Sequence, residues 1–395
     1  MELINRSNFP AEVFTALDKS GREHLVIVAK ATYRFAGGSP PELTQQESRS
    51  IAVTDVFVGQ PGLSAPVYEA DLVLRKQKCD VIVDATAHTP GGRPVTELPV
   101  GVRVGQFSKQ MLAVGDRIWR RGSFGVSATK PQPFVSMRLH YGRAFGGSPP
   151  RKPPKDGRVE EDTYFANPVG TGYAPDSSSD ILEGMALPST EDFHDRVTAP
   201  NGTYKPLALG PIGRHWDPRR KHAGTYDADW RENVFPFLPS DFDEAFFQSA
   251  PPDQQIDFPQ GGEAVALHHL VPGRPIVIFE LPKPELLLKV LYSGHTAEEL
   301  TPVVDTLFIE PDKGLFTYVY RASIRLTKRG AFGVKIIAAG PVCNKWWIAK
   351  VLGTEDCGCN GEGEAPSPDG GSADDDSPSP AAEALFDDED ARVTQ

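Results

Sequence analysis

The sequence predicts a mainly β protein, built as a β-sandwich or as open-barrel sheets, with a long irregular middle segment rich in Pro, Gly and aromatic residues and a few short helices. Short runs of β-branched and aromatic residues end at Gly- or Pro-containing turns, which is typical of antiparallel sheets. Glycine and proline occur 37 times each in 395 residues, and this content favours turns over long helices. A parallel α/β architecture would need helical crossovers of about ten or more residues, and the sequence shows none.

Residues 1–145 are predicted to form an N-terminal β region. The segments 24–35 and 79–87 are rich in β-branched and aromatic residues, and each is followed by a turn with two glycines. Valine alternates strictly with glycine or arginine over residues 100–104, which is the period of a half-buried strand. Residues 112–119 continue the pattern, with a turn at Gly115-Asp116.

Residues 146–262 are predicted to be an irregular segment that packs on the β body. Prolines occur throughout it and its apolar periodicity is poor, yet it carries many aromatic side chains, which disordered segments lack. One short helix is expected, because Ser240-Asp-Phe-Asp243 looks like a capping box and acidic residues suit a helix start. Pro251-Pro252 would end this helix after about two turns.

Strands return in residues 263–353, the predicted C-terminal β region. Pro311-Asp-Lys-Gly314 supplies proline for the first central position of a turn and glycine for its exit. This predicts a hairpin between residues 303–309 and 316–326, with further strands at 276–281, 286–292, 333–339 and 346–351. His268 and His269 are interpreted as a structural strand end, with side chains on opposite faces.

The formal net charge of −12 belongs to a predicted disordered acidic tail, residues 354–395. From Glu355 onward there are thirteen acidic residues and one basic residue, which leaves 40 bases and 40 acids in the body. A neutral body offers no overall basic field for nucleic acid. We interpret Cys357-Gly-Cys359 as reduced thiols, since two thiols are half of a zinc site. Ala384-Leu385-Phe386 is either a docking motif or part of a solubilising tail.

Signals for export and membrane insertion are missing from the sequence. The N-terminus lacks a basic region followed by an apolar run, and no apolar run approaches the roughly 18 residues that span a bilayer. We therefore expect a cytoplasmic protein that binds no membrane. Phosphate-binding glycine loops, H-E-x-x-H and G-x-S-x-G are also absent, and we predict a non-enzyme with no catalytic, cofactor-binding or metal-binding residues.

The densest polar chemistry lies in residues 214–231. Two histidines and several aspartates could serve a metal or a catalytic centre there, but the many nearby bases disfavour a cation site. Arg–Asp pairs can instead hold irregular backbone in place, and Arg, Tyr and Trp are also the residues that dominate protein interfaces. The segment is therefore either an internal staple or a partner-binding surface.

The predicted partner-binding residues are aromatic, arginine and aspartate side chains of this middle segment and of the sharp turn at 143–147. They are Arg143, Phe145, Trp216, Arg219, Tyr226, Asp227, Trp230, Asp241 and Phe242.

Several segments, in order and spacing, carry a family resemblance. They include Val28-Ala-Lys-Ala-Thr32, Gly115-Asp-Arg-Ile-Trp119, Arg143-Ala-Phe-Gly-Gly147, Asn167-Pro-Val-Gly170, Ala223-Gly-Thr-Tyr-Asp227 and Phe237-Leu-Pro-Ser-Asp-Phe242. Over about residues 1–345 the chain resembles the bacterial domain-of-unknown-function family 2169, and the acidic tail lies outside the resemblance.

The resemblance implies a binding function in type VI secretion. It implies an adaptor or chaperone that helps to load an effector, with its PAAR-like tip protein, onto the VgrG spike, and it carries over no catalytic residues. The expected partners are therefore a PAAR-like effector protein and VgrG. Two alternatives stay open: an enzyme, such as a hydrolase or nuclease, that uses the 214–231 cluster, and a structural component that travels with the spike.

Overall fold

The computed structural model describes residues 1–122, 125–148, 163–175, 182–293, 296–326 and 333–354. The predicted tail lies outside these residues from Glu355 onward, and with it Cys357, Cys359 and the Ala384-Leu385-Phe386 motif.

The described chain is mainly β, as the sequence predicts. Its strands are β1 (Glu2–Asn5), β2 (Ala11–Leu17), β3 (Glu23–Arg34), β4 (Glu42–Leu43), β5 (Val56–Phe57), β6 (Pro66–Tyr68), β7 (Cys79–Val83), β8 (Ala85–His88), β9 (Glu97–Val104), β10 (Phe107–Val114), β11 (Trp119–Gly122), β12 (Gly125–Ala128), β13 (Ser136–Leu139), β14 (Phe145–Gly146), β15 (Thr171–Gly172), β16 (Thr190–Glu191), β17 (Gln255–Ile256), β18 (Ala264–Val271), β19 (Arg274–Glu280), β20 (Leu288–Tyr292), β21 (Ala297–Leu300), β22 (Val303–Glu310), β23 (Leu315–Arg325) and β24 (Val334–Ala339).

Helices in the described residues are short. The α-helices are α1 (Asp217–Arg220) and α2 (Asn344–Leu352), and a π-helical turn covers Trp230–Val234. Single 3₁₀ turns cover Pro90–Gly92, Tyr141–Arg143, Glu244–Phe247, Pro252–Gln254 and Pro311–Lys313. None of the described helices has the length and apolar character needed to cross a bilayer.

Three larger sheets form the body. A seven-stranded sheet has the order β17-β7-β22-β23-β3-β2, with β4 pairing the end of β3. A five-stranded sheet has the order β16-β10-β9-β18-β19, and a four-stranded sheet the order β1-β24-β20-β21. Each sheet combines strands from the predicted N-terminal and C-terminal β regions, so the boundaries at 145 and 263 do not separate independent sheets.

One apolar core joins the three sheets. Alternate side chains of β3 and β23 face it, as the period of two in a strand requires. Phe279 of β19 stacks between Phe35 and Phe316, with ring centroids 4.4 and 5.4 Å apart, and so ties the five-stranded sheet to the seven-stranded one. The predicted hairpin of residues 303–326 lies at the centre of this arrangement, and β22 and β23 confirm it.

The other face of the seven-stranded sheet buries charged side chains beside apolar ones such as Ile82 and Phe308. Lys30 lies 2.5 Å from Asp71, Lys76 lies 2.7 Å from Asp80, and Arg321 lies 2.5 Å from Asp305. Asp71 and Lys76 come from the segment between β6 and β7, which covers this face. The ion pairs are deeply buried, and the surrounding backbone and side chains supply further hydrogen bonds, as a buried charge requires.

Residues 346–351 form part of helix α2, and the predicted strand there is wrong. Trp346 and Trp347 are consecutive, and both belong to one apolar cluster with Leu291 and Ala338 of the four-stranded sheet. Neighbouring residues of a strand point to opposite faces, so only a helix lets both indole rings reach the same sheet. Gly353 ends the helix with a left-handed φ of 69°, the usual role of glycine after a helix.

Two other local predictions are also corrected. The helix expected from Ser240 is a single 3₁₀ turn at Glu244–Phe247, and its cap is Asp243, which accepts a hydrogen bond from the Ala245 amide. His268 and His269 do not lie on opposite faces, because β18 is irregular here and His269 adopts a φ of 55°. Their rings stack with centroids 4.0 Å apart, and His269 Nδ1 donates to the Pro99 carbonyl at 2.8 Å.

Candidate partner-binding surface

Four of the predicted partner-binding residues are buried and hold the middle segment to the β body. They are Phe145, Trp216, Arg219 and Phe242, each with at most 4% of its surface exposed. Arg219 lies in α1, forms an ion pair with Glu69 and donates to the carbonyls of Ile212 and Phe246. These contacts match the internal-staple interpretation, because the Arg219 side chain supplies hydrogen bonds to backbone carbonyls that no regular strand or helix satisfies.

The turn at 143–147 is part of the same anchoring. Phe145 meets the rings of Tyr164 and Tyr204 edge to face, at 5.1 and 4.9 Å. A Cβ on Gly146 would lie 2.3 Å from the Asn167 carbonyl oxygen, so only glycine fits there. Arg143 is half-buried and pairs with the exposed Asp116 at 2.6 Å.

His140, directly before this turn, gives the stability a pH dependence. Burial and the cationic Arg143 and Arg138 lower the pKa of His140 to about 4. An unfolded histidine takes up its proton near pH 6.5, so the unfolded state binds more protons between these two values and stability is lost as pH falls through them.

We expect the native protein to lose more stability than His140→Gln between pH 7.5 and 5. The difference is at most about 1.4 kcal/mol per pH unit, and less because solvent screens a partly exposed group. Chemical denaturation at the two pH values measures it, with His194→Gln at an exposed position as the control. Equal losses in the native protein and in His140→Gln would contradict the prediction.

The remaining aromatic residues of the middle segment form an exposed group that we name the aromatic ridge: Tyr226, Trp230, Phe235 and Phe237. Exposure is 50% for Tyr226, 66% for Phe235 and 44% for Phe237, and Trp230 is half-buried between them. The Trp230 ring centroid lies 4.7 Å from that of Tyr226 and 5.6 Å from that of Phe235. Exposed aromatic side chains that lie next to one another in this way are typical of interaction sites.

Local hydrogen bonds fix the shape of the ridge. Asp241 accepts from the Thr225 amide at 2.9 Å and from the Thr225 hydroxyl at 2.7 Å, which closes a loop of residues 225–241 at its base. Asp227 accepts from the Trp230 amide at 2.9 Å, and Trp230 Nε1 donates to the Phe237 carbonyl at 2.9 Å. A loop whose ends are tied and whose side chains pack on each other presents its surface in a defined shape.

A glycine of the β2–β3 turn anchors the ridge to the body. The Phe237 ring lies over Gly21, where a Cβ would approach the ring to 2.7 Å, and Gly21 has a φ of 73°. Both the close approach and the positive φ require glycine.

The charged residues of the ridge loop, residues 225–241, are mostly acidic. Asp227, Asp229, Glu232 and Asp241 are exposed beside it, and the base within the same loop is Arg231. Hydrogen bonds from the amide and hydroxyl of Thr225 lower the pKa of Asp241, which keeps this carboxylate ionised. The ridge loop therefore surrounds its rings with acidic side chains, while the exposed bases Lys19 and Arg22 lie in the β2–β3 turn beside Gly21, on which Phe237 packs.

The structure brings together Tyr226, Asp227, Trp230 and Asp241 of the predicted residues. It adds Phe235 and Phe237, which the sequence reasoning did not select although their Phe-Pro-Phe sequence places two rings beside a rigid proline. No group of three or more His, Cys, Asp or Glu side chains within the described ranges could hold a metal ion. His222, from the alternative catalytic cluster, pairs instead with Asp243 at 2.9 Å.

Comparison with known proteins finds one family. The model of domain-of-unknown-function family 2169, described as an uncharacterized protein conserved in bacteria, matches residues 20–321. This range includes the ridge and its buried anchors. No curated protein and no solved structure matches the chain.

Proposed function

The chain belongs to domain-of-unknown-function family 2169, and from this premise we propose that it is a non-enzymatic adaptor or chaperone. Its partner is a type VI secretion effector with a PAAR-like tip protein, which it holds in the cytoplasm and helps to load onto the VgrG spike. The observation that supports this function is the aromatic ridge, a preformed surface whose contacts within the protein leave much of its ring area exposed.

The composition of the ridge suits protein recognition. Tryptophan and tyrosine are enriched among residues that contribute most to binding energy, and large rings bury area at low cost in conformational entropy. Because the hydrogen bonds at Thr225 and Trp230 already order the loop, little further ordering is needed when a partner binds.

The acids of the ridge loop favour a partner that carries basic groups beside an apolar patch. Opposite charges across an interface speed encounter and reject partners of the wrong sign. The body as a whole is neutral, so such steering comes from local groups. The acids of the ridge loop attract basic groups of a partner, and the exposed Lys19 and Arg22 beside Gly21 attract acidic ones.

Trp230→Ala is expected to weaken binding of the PAAR-like partner about 30- to 100-fold, because the substitution removes the central ring of the ridge. Isothermal titration calorimetry against the purified partner encoded by a neighbouring gene measures this change. Phe193→Ala is the matched control, since Phe193 is 38% exposed and lies outside the ridge loop; its effect should stay below about threefold. Undiminished affinity of Trp230→Ala, with its melting temperature preserved, would remove the ridge from the binding surface.

A further inference from the structure

A second apolar surface lies where the edge of the seven-stranded sheet meets the four-stranded sheet. It is a groove with a volume of about 770 Å³, within the range of sites that hold ligands or peptide side chains. Phe9 and Leu43 line it from the seven-stranded side, Leu286–Leu288 and Leu300 line it from the four-stranded side, and Gly340-Pro341 also contribute to the lining.

The groove has an apolar floor that the described residues leave open. Leu287 is 59% exposed and Leu43 is 47% exposed, while Leu286 and Leu288 beneath them belong to the core. Exposed leucines that are continuous with a buried core are a surface that a further apolar segment can cover.

The rim of the groove carries both charges. Lys289 lies 3.1 Å from Glu299, whose side chain is 74% exposed, and Glu285 is a second acid on the rim. Lys283 is exposed and forms no ion pair within the described ranges. A segment that places carboxylates beside its apolar residues could therefore pair with Lys283 and compete for Lys289.

The chain itself contains such a segment. Beyond Thr354 the large apolar residues are Leu385, Phe386 and Val393, and the adjacent pair Leu385-Phe386 is flanked by Glu383 and Asp387. A short apolar pair between carboxylates fits an apolar groove whose rim offers lysines, among them Lys283, which has no ion pair in the described part of the chain.

The length of chain between the groove and this segment permits contact. Pro341 lines the groove, and helix α2 begins three residues later and is about 13 Å long. Ala384 lies thirty positions after Thr354, and a random-coil chain of about 30 residues has a root-mean-square span of about 30 Å.

We propose that Leu385 and Phe386 of the chain's own acidic tail occupy this groove, with the flanking carboxylates against Lys283 and Lys289. The tether gives the segment an effective concentration on the order of 1 mM, so a Kd of about 0.1 mM for the free segment keeps the groove about 90% occupied. The proposal is independent of the adaptor function, because neither the ridge nor its anchors take part.

Photo-crosslinking in the full-length chain tests the proposal. With p-benzoylphenylalanine at position 287, we expect the protein to crosslink to its own residues 380–390, at a yield that does not change with protein concentration. The same probe at position 63, where the leucine is 76% exposed and lies outside the groove, should not label the tail. Leu385→Ala with Phe386→Ala should abolish the crosslink, and Val393→Ala should retain it.

A labelled peptide of residues 380–391 provides a second measurement. It should bind the full-length Leu385→Ala, Phe386→Ala variant about tenfold more tightly than the native chain, whose groove is already occupied. Three outcomes would overturn the proposal: a crosslink whose yield rises with concentration, which indicates a second copy; a crosslink to other residues; and equal peptide affinity for the two proteins.

Discussion

Asp71→Ala is expected to lower the free energy of unfolding by about 3–5 kcal/mol, because it leaves the ammonium group of Lys30 buried without a counter-charge. Only 1% of Lys30 and 3% of Asp71 are exposed. Asp71 also accepts from the Tyr68 hydroxyl and the Ala52 amide, each at 2.6 Å. Burial already lowers the pKa of Lys30, and the charge of Asp71 opposes that shift. Removal of the Asp71 carboxylate therefore makes the charged form of Lys30 strongly unfavourable.

Chemical denaturation of three variants separates the causes of this loss. Asp116→Ala removes a carboxylate that is 73% exposed and should cost less than about 1 kcal/mol. Adding Lys30→Met to Asp71→Ala should recover part of the stability, because the uncompensated charge is then absent. If the double variant is as unstable as Asp71→Ala alone, the unpaired charge is not the cause.

Trp216→Ala is expected to cost about 3–5 kcal/mol, through the cavity that it leaves between the middle segment and the β body. Trp216 is fully buried and meets the Tyr141 ring edge to face at 5.2 Å. Its carbonyl accepts from the amides of Arg219 and Arg220, so it also fixes the start of α1.

Trp230→Ala is the matched control, since it removes the same side chain from the same segment. The rings that contact it, those of Tyr226 and Phe235, lie within the ridge loop, so we expect Trp230→Ala to cost less than about 1 kcal/mol. Denaturation midpoints of the two variants measure the contrast. A loss for Trp230→Ala as large as that for Trp216→Ala would show that the ridge is a structural element and not a free surface.

These two tryptophans show where prediction from sequence ends. Both lie among Arg and Asp residues of one Pro-rich segment, so their local sequences support the staple and the surface equally well. Trp216 differs from Trp230 in its surroundings, because Tyr141 and Ile212 pack around it. Tyr141 is distant in sequence, and the position of Ile212 depends on the path of irregular backbone. Period-two patterns predict strands because they are local, whereas contacts across the fold have no such local pattern.

The errors in individual elements have similar causes. The 346–351 segment is apolar on consecutive positions, and a short run of this kind fits a buried strand as well as a helix. Gly353, two residues after this segment, is a signal for the end of a helix and favours the helix over the strand. No sequence pattern marks the irregularity of β18 at His268 and His269. The sequence therefore predicts a regular strand there, in which the two side chains lie on opposite faces.

The pairing of β3 with β23 also governs how the chain is made. Thr32 lies opposite Thr317, 285 positions later in the sequence. At about 5–20 residues per second, synthesis of the intervening chain takes roughly 15–60 s. Throughout that interval β3 has been synthesised, but β23, the strand that pairs with it along most of its length, has not. Non-local pairing of this kind also slows folding itself, so the body forms late, after nearly the whole domain has left the ribosome.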